Sequence, residues 1–158
     1  MTAVVRRTVD APVTRVWDTV TDFAAYGRWI PLTRMRTDPG PARVGWGFGG
    51  FTGLGPVGFL DPMLLTVWEP PAGDASHARF CVRKTGYVLT GWAEVSLEPR
   101  DGGTRTQLTW SEEIVPRPVQ VGRLLARVSD PVTARLFGHA VDGMAKAAAA
   151  LAGRDAAA

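Results

Sequence analysis

Hydrophobic positions change their period along the chain, and each change marks a different kind of element. Residues 2–11, "TAVVRRTVDA", form a short run rich in Val and Thr, which predicts a first strand. After Asp10-Ala11-Pro12, the apolar residues Val13, Val16, Trp17 and Val20 recur at helical spacing, and proline suits a first helical turn. A second short helix or turn is expected over "DFAAYGRW", with Asp22 as its N-cap. It ends near Pro31, which pushes the residue before it out of the α region. From Thr33 to about Val115 the texture is of strands: "TRMRT", "RVGWGFGGF", "FLDPMLLTVWE", "SHARFCVRK", "YVLTGWAEVSLE" and "TRTQLTWSEEIV". The breaks between them, "DPGP", "TGLGP", "PPAGD", "TG" and "RDGG", carry strong turn chemistry. The helical period then returns to the end of the chain, through Leu125, Val128, Val132, Leu136, Ala140, Met144, Ala147 and Leu151. Pro131 inside that run predicts a kink or two helices in series. The predicted order is β-α-α, about six consecutive strands, and a long helix, an α+β chain forming a single domain over 1–153 with a frayed tail at 154–158.

The strand pattern also predicts a register. With Asp101-Gly102 as a two-residue turn, Arg100 pairs with Gly103, Val95 with Leu108, Ala93 with Trp110, Gly91 with Glu112 and Leu89 with Ile114. A turn at Thr85-Gly86 sets Val82 beside Leu89 and Phe80 beside Gly91 on the same apolar face. Gly91 and Ala93 then leave the centre of that face short of volume. A long helix laid across such a sheet should enclose a cavity of several hundred cubic ångströms, the ordinary scale of a ligand pocket.

Seven glycines fall within "VGWGFGGFTGLGPVGFLDPM", residues 44–63, and Gly45, Gly47 and Gly50 spell a G-x-G-x-x-G. A dinucleotide-binding turn needs a strand before these glycines and a helix directly after them. Here more glycine and Pro56 follow, so the stretch reads as a strongly curved hairpin with its aromatic rings on one side. No cofactor is implied.

Composition narrows the classes. The chain has 158 residues, 46% hydrophobic and 21% charged, with a net charge of +3, as an ordinary globular domain does. Its arginines are scattered, without the basic stripe of a nucleic-acid binder. Cys81 is the only cysteine, which excludes an internal disulfide and a cysteine-based zinc site. No apolar run is long enough to span a membrane, and no secretory leader is visible, so a cytoplasmic location is expected.

The stretches "APVTRVWDTVTDFAAYGRWIP", "RVGWGFGGFTGLGPVGFLDPM", "KTGYVLTGWAEVSLEP" and "TWSEEIVPRP" carry a resemblance over essentially the whole chain. It resembles the START-like, helix-grip superfamily (SRPBCC), in a bacterial branch that is polyketide cyclase/dehydrase-like and lipid-transport-like. The resemblance implies a curved antiparallel sheet wrapped around the C-terminal helix and enclosing an apolar cavity. It implies a hydrophobic small-molecule ligand of lipid or polyketide type. A carrier and an aromatase/cyclase or dehydratase both use such a cavity, and a partner subunit with a vestigial one is a third class.

Candidate site residues follow from the inward face. Glu112, desolvated beside Phe80 and Trp110, would have a raised pKa and suit acid/base work or anchoring of a ligand hydroxyl. His139, beside the apolar stripe of the last helix, is a second acid/base candidate. The cavity lining is expected to include Trp46, Phe48, Met63, Phe80, Val82, Leu89, Gly91, Trp110, Leu136 and Met144. Lys84 also points inward but lies about 13 Å from the Glu112 row, out of its reach and near the cavity mouth. His77 is placed opposite Glu94 on the outer face, and with no third ligand at metal-binding spacing no metal site is expected. Trp92, placed beside Arg79, is either a cation–π cover or part of a homodimer patch.

Overall fold

The computed structural model describes the backbone of residues 2–117 and 119–156, and the side chains of 3–117, 135 and 138–156. Strand β1 (Thr2–Val9) is followed by helix α1 (Val13–Val20) and a short 3-10 helix (Phe23–Arg28). Six strands follow: β2 (Thr33–Thr37), β3 (Gly47–Leu54), β4 (Val57–Glu69), β5 (Ala78–Thr85), β6 (Leu89–Arg100) and β7 (Arg105–Pro116). Helix α2 (Val119–Asp155) closes the chain. The strands form one antiparallel sheet in the order β1-β7-β6-β5-β4-β3-β2, so every strand after the first pairs with its sequence neighbour and β1 adds to β7. This is the α+β, helix-grip arrangement expected from the hydrophobic pattern.

The predicted helical face of α1 is the buried one: Val13, Val16, Trp17 and Val20 all lie in the core. Asp22 caps the 3-10 helix by accepting from the Ala25 N–H at 3.2 Å. That cap aims Phe23 and Tyr26 at the sheet, where Phe23 stacks on Phe48 with ring centroids 4.1 Å apart and meets Phe80 edge-on at 5.5 Å. Trp17 packs on Trp68 at 4.8 Å. On α2 the buried stripe is Ala140, Val141, Met144 and Ala148, so the stripe drifts from the predicted one, and Leu151 is exposed. One helix runs through Pro131, so of the two expected alternatives the pair of helices in series is not found. The Leu136 side chain lies outside the described ones. Helical order continues through Asp155, inside the segment expected to fray, where Asp155 pairs with Arg15 at 2.8 Å.

The glycines of residues 44–63 serve close approach of strands. Gly45 and Trp46 precede β3 and no helix follows them, consistent with the hairpin reading. A Cβ on Gly53 would stand 2.2 Å from the Val57 carbonyl oxygen and 2.5 Å from the Gly58 Cα, so this pair lets the β3–β4 hairpin close.

Both later hairpins turn over longer loops than predicted. Arg100 pairs with Arg105, because Asp101, Gly102 and Gly103 all take positive φ and make a four-residue turn with Thr104. Thr85 pairs with Thr90, so the chain reverses over Gly86–Val88 and the first residue of β6, Leu89, which pairs only with β7. Each pairing is therefore shifted by an even number of residues, which keeps every side chain on its predicted face but moves it along the neighbouring strand. Glu112 lies opposite Ala93 and Lys84 opposite Gly91. Gly91 is small for backbone reasons: its φ is +134°, and a Cβ there would stand 1.9 Å from the Glu113 carbonyl oxygen. We expect Gly91→Ala to cost at least about 1–3 kcal/mol, the scale of one enforced backbone outlier. A lower urea midpoint at unchanged slope checks this.

Candidate functional site

A cavity of about 100 Å³ lies between the concave face of the sheet, the 3-10 helix and α2. It is smaller than the sequence suggested because Phe23, Tyr26, Phe48, Phe80 and Trp110 crowd into it. Of the predicted lining, Phe48, Met63, Phe80, Val82, Lys84, Trp110 and Met144 are found there, together with Glu112. Trp46 is buried but sits behind Phe48 and Phe23 in the core, at 5.9 and 5.7 Å between ring centroids. Leu89 and Gly91 are absent from the lining, because the longer turns carry them toward the end of β6.

The polar groups of the cavity form one cluster. Lys84 Nζ on β5 lies 2.6 Å from Asp61 Oδ2 on β4 and 3.1 Å from Glu112 Oε1 on β7. The Lys84 side chain is only 6% exposed, against 15% for Asp61 and 11% for Glu112. The expected separation of Lys84 and Glu112 is thus overturned. The corrected register leaves them two residues apart along β6, about 7 Å, within reach of two long side chains. Ala93 lies between them on β6 and offers only a methyl, so nothing large blocks the gap they close.

Asp61 was not anticipated, although a signal existed. Strand alternation sets Asp61 on the face of Met63 and Leu65, the inward one, in the middle of "FLDPMLL". Its Oδ1 is buried and makes no hydrogen bond among the described residues. Phe23, Tyr26, Ile30, Ala140 and Val141 were also unforeseen as lining. Tyr26 donates its hydroxyl to the Val20 carbonyl at 2.5 Å, and burial with the nearby Glu112 charge pushes its pKa well up.

Both histidines stand apart from this site. His139 is exposed on α2 and His77 is exposed just ahead of β5, across from the Glu98 end of β6 and not from Glu94. Trp92 pairs with Arg83 and not Arg79, is 38% exposed, and donates to Glu113 Oε2 at 3.0 Å. No group of three metal-ligating side chains occurs among the described residues.

The electrostatics follow from burial. Desolvation raises the Glu112 pKa; Lys84 opposes this, and the Asp61 charge adds to it. Burial pulls Lys84 down, but the attraction of Glu112 and Asp61 outweighs it, so the ammonium is held above its ordinary range. Glu112 and Lys84 are therefore both held above their ordinary ranges.

These contacts sit in a chain whose relatives are known. The model for the polyketide cyclase / dehydrase and lipid transport family matches residues 1–153. The chain belongs to that family. No curated protein matches it in sequence. Among solved structures, it is similar in fold to a protein from Thermus thermophilus, with a TM-score of 0.73 at 11% identity, covering 96% of this chain and 99% of that one. The Zhui aromatase/cyclase from Streptomyces sp. R1128 superposes with a TM-score of 0.65 at 17% identity, over 92% and 93% of the two chains. A START superfamily protein from Mycobacterium smegmatis gives 0.61 at 16% identity, over 97% of each. No described helix is long and apolar enough to cross a membrane.

Two outcomes follow from the cluster. Replacing Lys84 with methionine leaves two buried carboxylates without their cation and should cost about 3–5 kcal/mol, read from chemical denaturation. Because the folded Glu112 pKa is raised, its contribution to stability is full below the ordinary carboxylate pKa of 4.5 and is lost as pH rises through the raised value. Denaturation midpoints followed upward from about pH 4 should fall in that window for wild type, and Glu112→Gln should flatten the fall.

Proposed function

We propose that this protein binds a hydrophobic small molecule of the lipid or polyketide class in the cavity between sheet and helix. The observation that carries the reading is the cavity's division into two ends. Aromatic and aliphatic side chains form most of its wall, and a single buried polar cluster, Asp61–Lys84–Glu112, forms the remainder. Such a wall holds an apolar body by area, while a few fixed polar groups set its orientation. About 100 Å³ accommodates a single ring or the end of a chain, so a larger ligand would have to insert one end. Membership of the polyketide cyclase / dehydrase and lipid transport family supports ligand binding as the use of this fold.

A second reading, an aromatase/cyclase or dehydratase, draws on one specific observation. Burial raises the Glu112 pKa beside an ammonium 3.1 Å away in a cavity walled by aromatic rings, and proton transfer to or from a bound substrate needs a group of this kind. Glu112→Gln separates the two readings. For a binder, affinity should drop by about 1.5–3 kcal/mol, the scale of a hydrogen bond to a charged group. For an enzyme, affinity should hold while turnover falls by about 100-fold or more. Native mass spectrometry of the purified protein for a retained ligand, followed by titration of that ligand into wild type and variant, makes the measurement. Unchanged affinity and the absence of any retained ligand or turnover would overturn both readings.

A further inference from the structure

The polar end of the cavity has a direction that general ligand binding does not require. Asp61 and Glu112 bring two carboxylates to one ammonium, so with both ionised the cluster carries one surplus negative charge. Lys84 Nζ already has both of its carboxylate partners, Asp61 Oδ2 at 2.6 Å and Glu112 Oε1 at 3.1 Å, and also lies 3.8 Å from the Met63 sulfur. Its donors are directed at the protein itself. Asp61 Oδ1 is the contrasting atom: buried, an acceptor only, and without a hydrogen bond among the described residues. A buried carboxylate oxygen left in this condition is costly, and a donor that reaches it is favoured by the same amount. Tyr26 does not supply one, because its hydroxyl is committed to the Val20 carbonyl.

We infer that the cavity selects a ligand whose polar end donates hydrogen bonds, a hydroxyl or a protonated amine, and rejects one that ends in a carboxylate. This inference rests on the proposed binding function and names the ligand chemistry. An alcohol would donate to Asp61 Oδ1. An ammonium would donate to the same oxygen and cancel the surplus negative charge of the ionised cluster. A carboxylate would bring a third negative charge into a wall of Phe and Trp rings, where little water screens it. A free fatty acid seated head-first is therefore the wrong ligand for this site.

The test uses four probes of one size, chosen to match a cavity of about 100 Å³: benzyl alcohol, benzylamine, benzoate and toluene. Met63 and Met144 line the cavity, so their labelled methyl signals report binding there as each probe is titrated. Benzyl alcohol or benzylamine should bind at least about tenfold more tightly than both toluene and benzoate, the effect expected of one hydrogen bond to a charged acceptor. Asp61→Asn supplies an amide donor in place of the acceptor and should narrow or reverse the preference over benzoate. The wild-type series decides the matter even where that variant fails to fold. Benzoate or toluene binding as tightly as both donors would overturn the inference while leaving the binding function standing. Silence of both methionine signals to all four probes would overturn the two together.

Discussion

An ammonium group taken out of water must be met by anions, and in this protein Lys84 is the group that makes the demand. Burying such an ion costs several kcal/mol even after the surroundings relax. Asp61 and Glu112, at 2.6 and 3.1 Å, offset that cost only if β4, β5 and β7 hold one relative register. A slip of one residue would turn a member outward, and a slip of two would carry it about 7 Å along the sheet. The sheet is thus committed to one alignment by a polar contact at the centre of its apolar face. Buried ion pairs of this kind are weak contributors to net stability, since apolar side chains of similar volume often do as well. Under the proposed binding function, three ionisable groups converging on a cavity are accounted for by what they do to a ligand.

The aromatic wall makes those three groups effective. Phe23 and Tyr26 reach the cavity because the Asp22 cap fixes the 3-10 helix against the sheet, and their contacts with Phe48, Phe80 and Trp110 exclude water from the space between. In that setting a charge acts over a longer range than it would at the surface. The surface pairs illustrate the difference. Arg7 and Asp142 join β1 to α2 at 2.5 Å, yet both side chains are 41% exposed, and pairs of that kind contribute about 1 kcal/mol or less. The consequential electrostatics of this molecule lie inside it.

The architecture was legible because its signals are periodic and repeated. Alternation in six successive stretches marked β2–β7, and spacing of three and four marked α1 and α2. Facing was legible as well: Phe80, Val82, Lys84, Trp110 and Glu112 all point inward as the alternation requires. Position along the sheet was not, because turn length is decided by local backbone choices that residue types only bias. "DG" within "RDGGT" suits a two-residue turn, but the second glycine permits a third positive φ and the loop takes four residues. Glu112 therefore moved from Gly91 to Ala93, and Lys84 moved further still, from Tyr87 to Gly91. Those two even shifts converted an isolated lysine at a mouth into the centre of a cluster. Phe23 and Tyr26 went unseen for a related reason: a short 3-10 helix has no long apolar period to show which side faces the sheet.

The same cluster serves a binder and an enzyme differently, and the difference lies in proton traffic. A binding site needs its acid only to hold a proton, or to give one up once as the ligand enters and recover it as the ligand leaves. A catalyst must restore the proton in every cycle, through water or through another group. Glu112 is 11% exposed and Lys84 6%, while Asp61 at 15% is the most accessible member and also carries the oxygen without a partner among the described residues. On the proposed reading, a ligand that donates to Asp61 Oδ1 covers the most exposed member of the cluster, and such cover suits holding a molecule over transforming it.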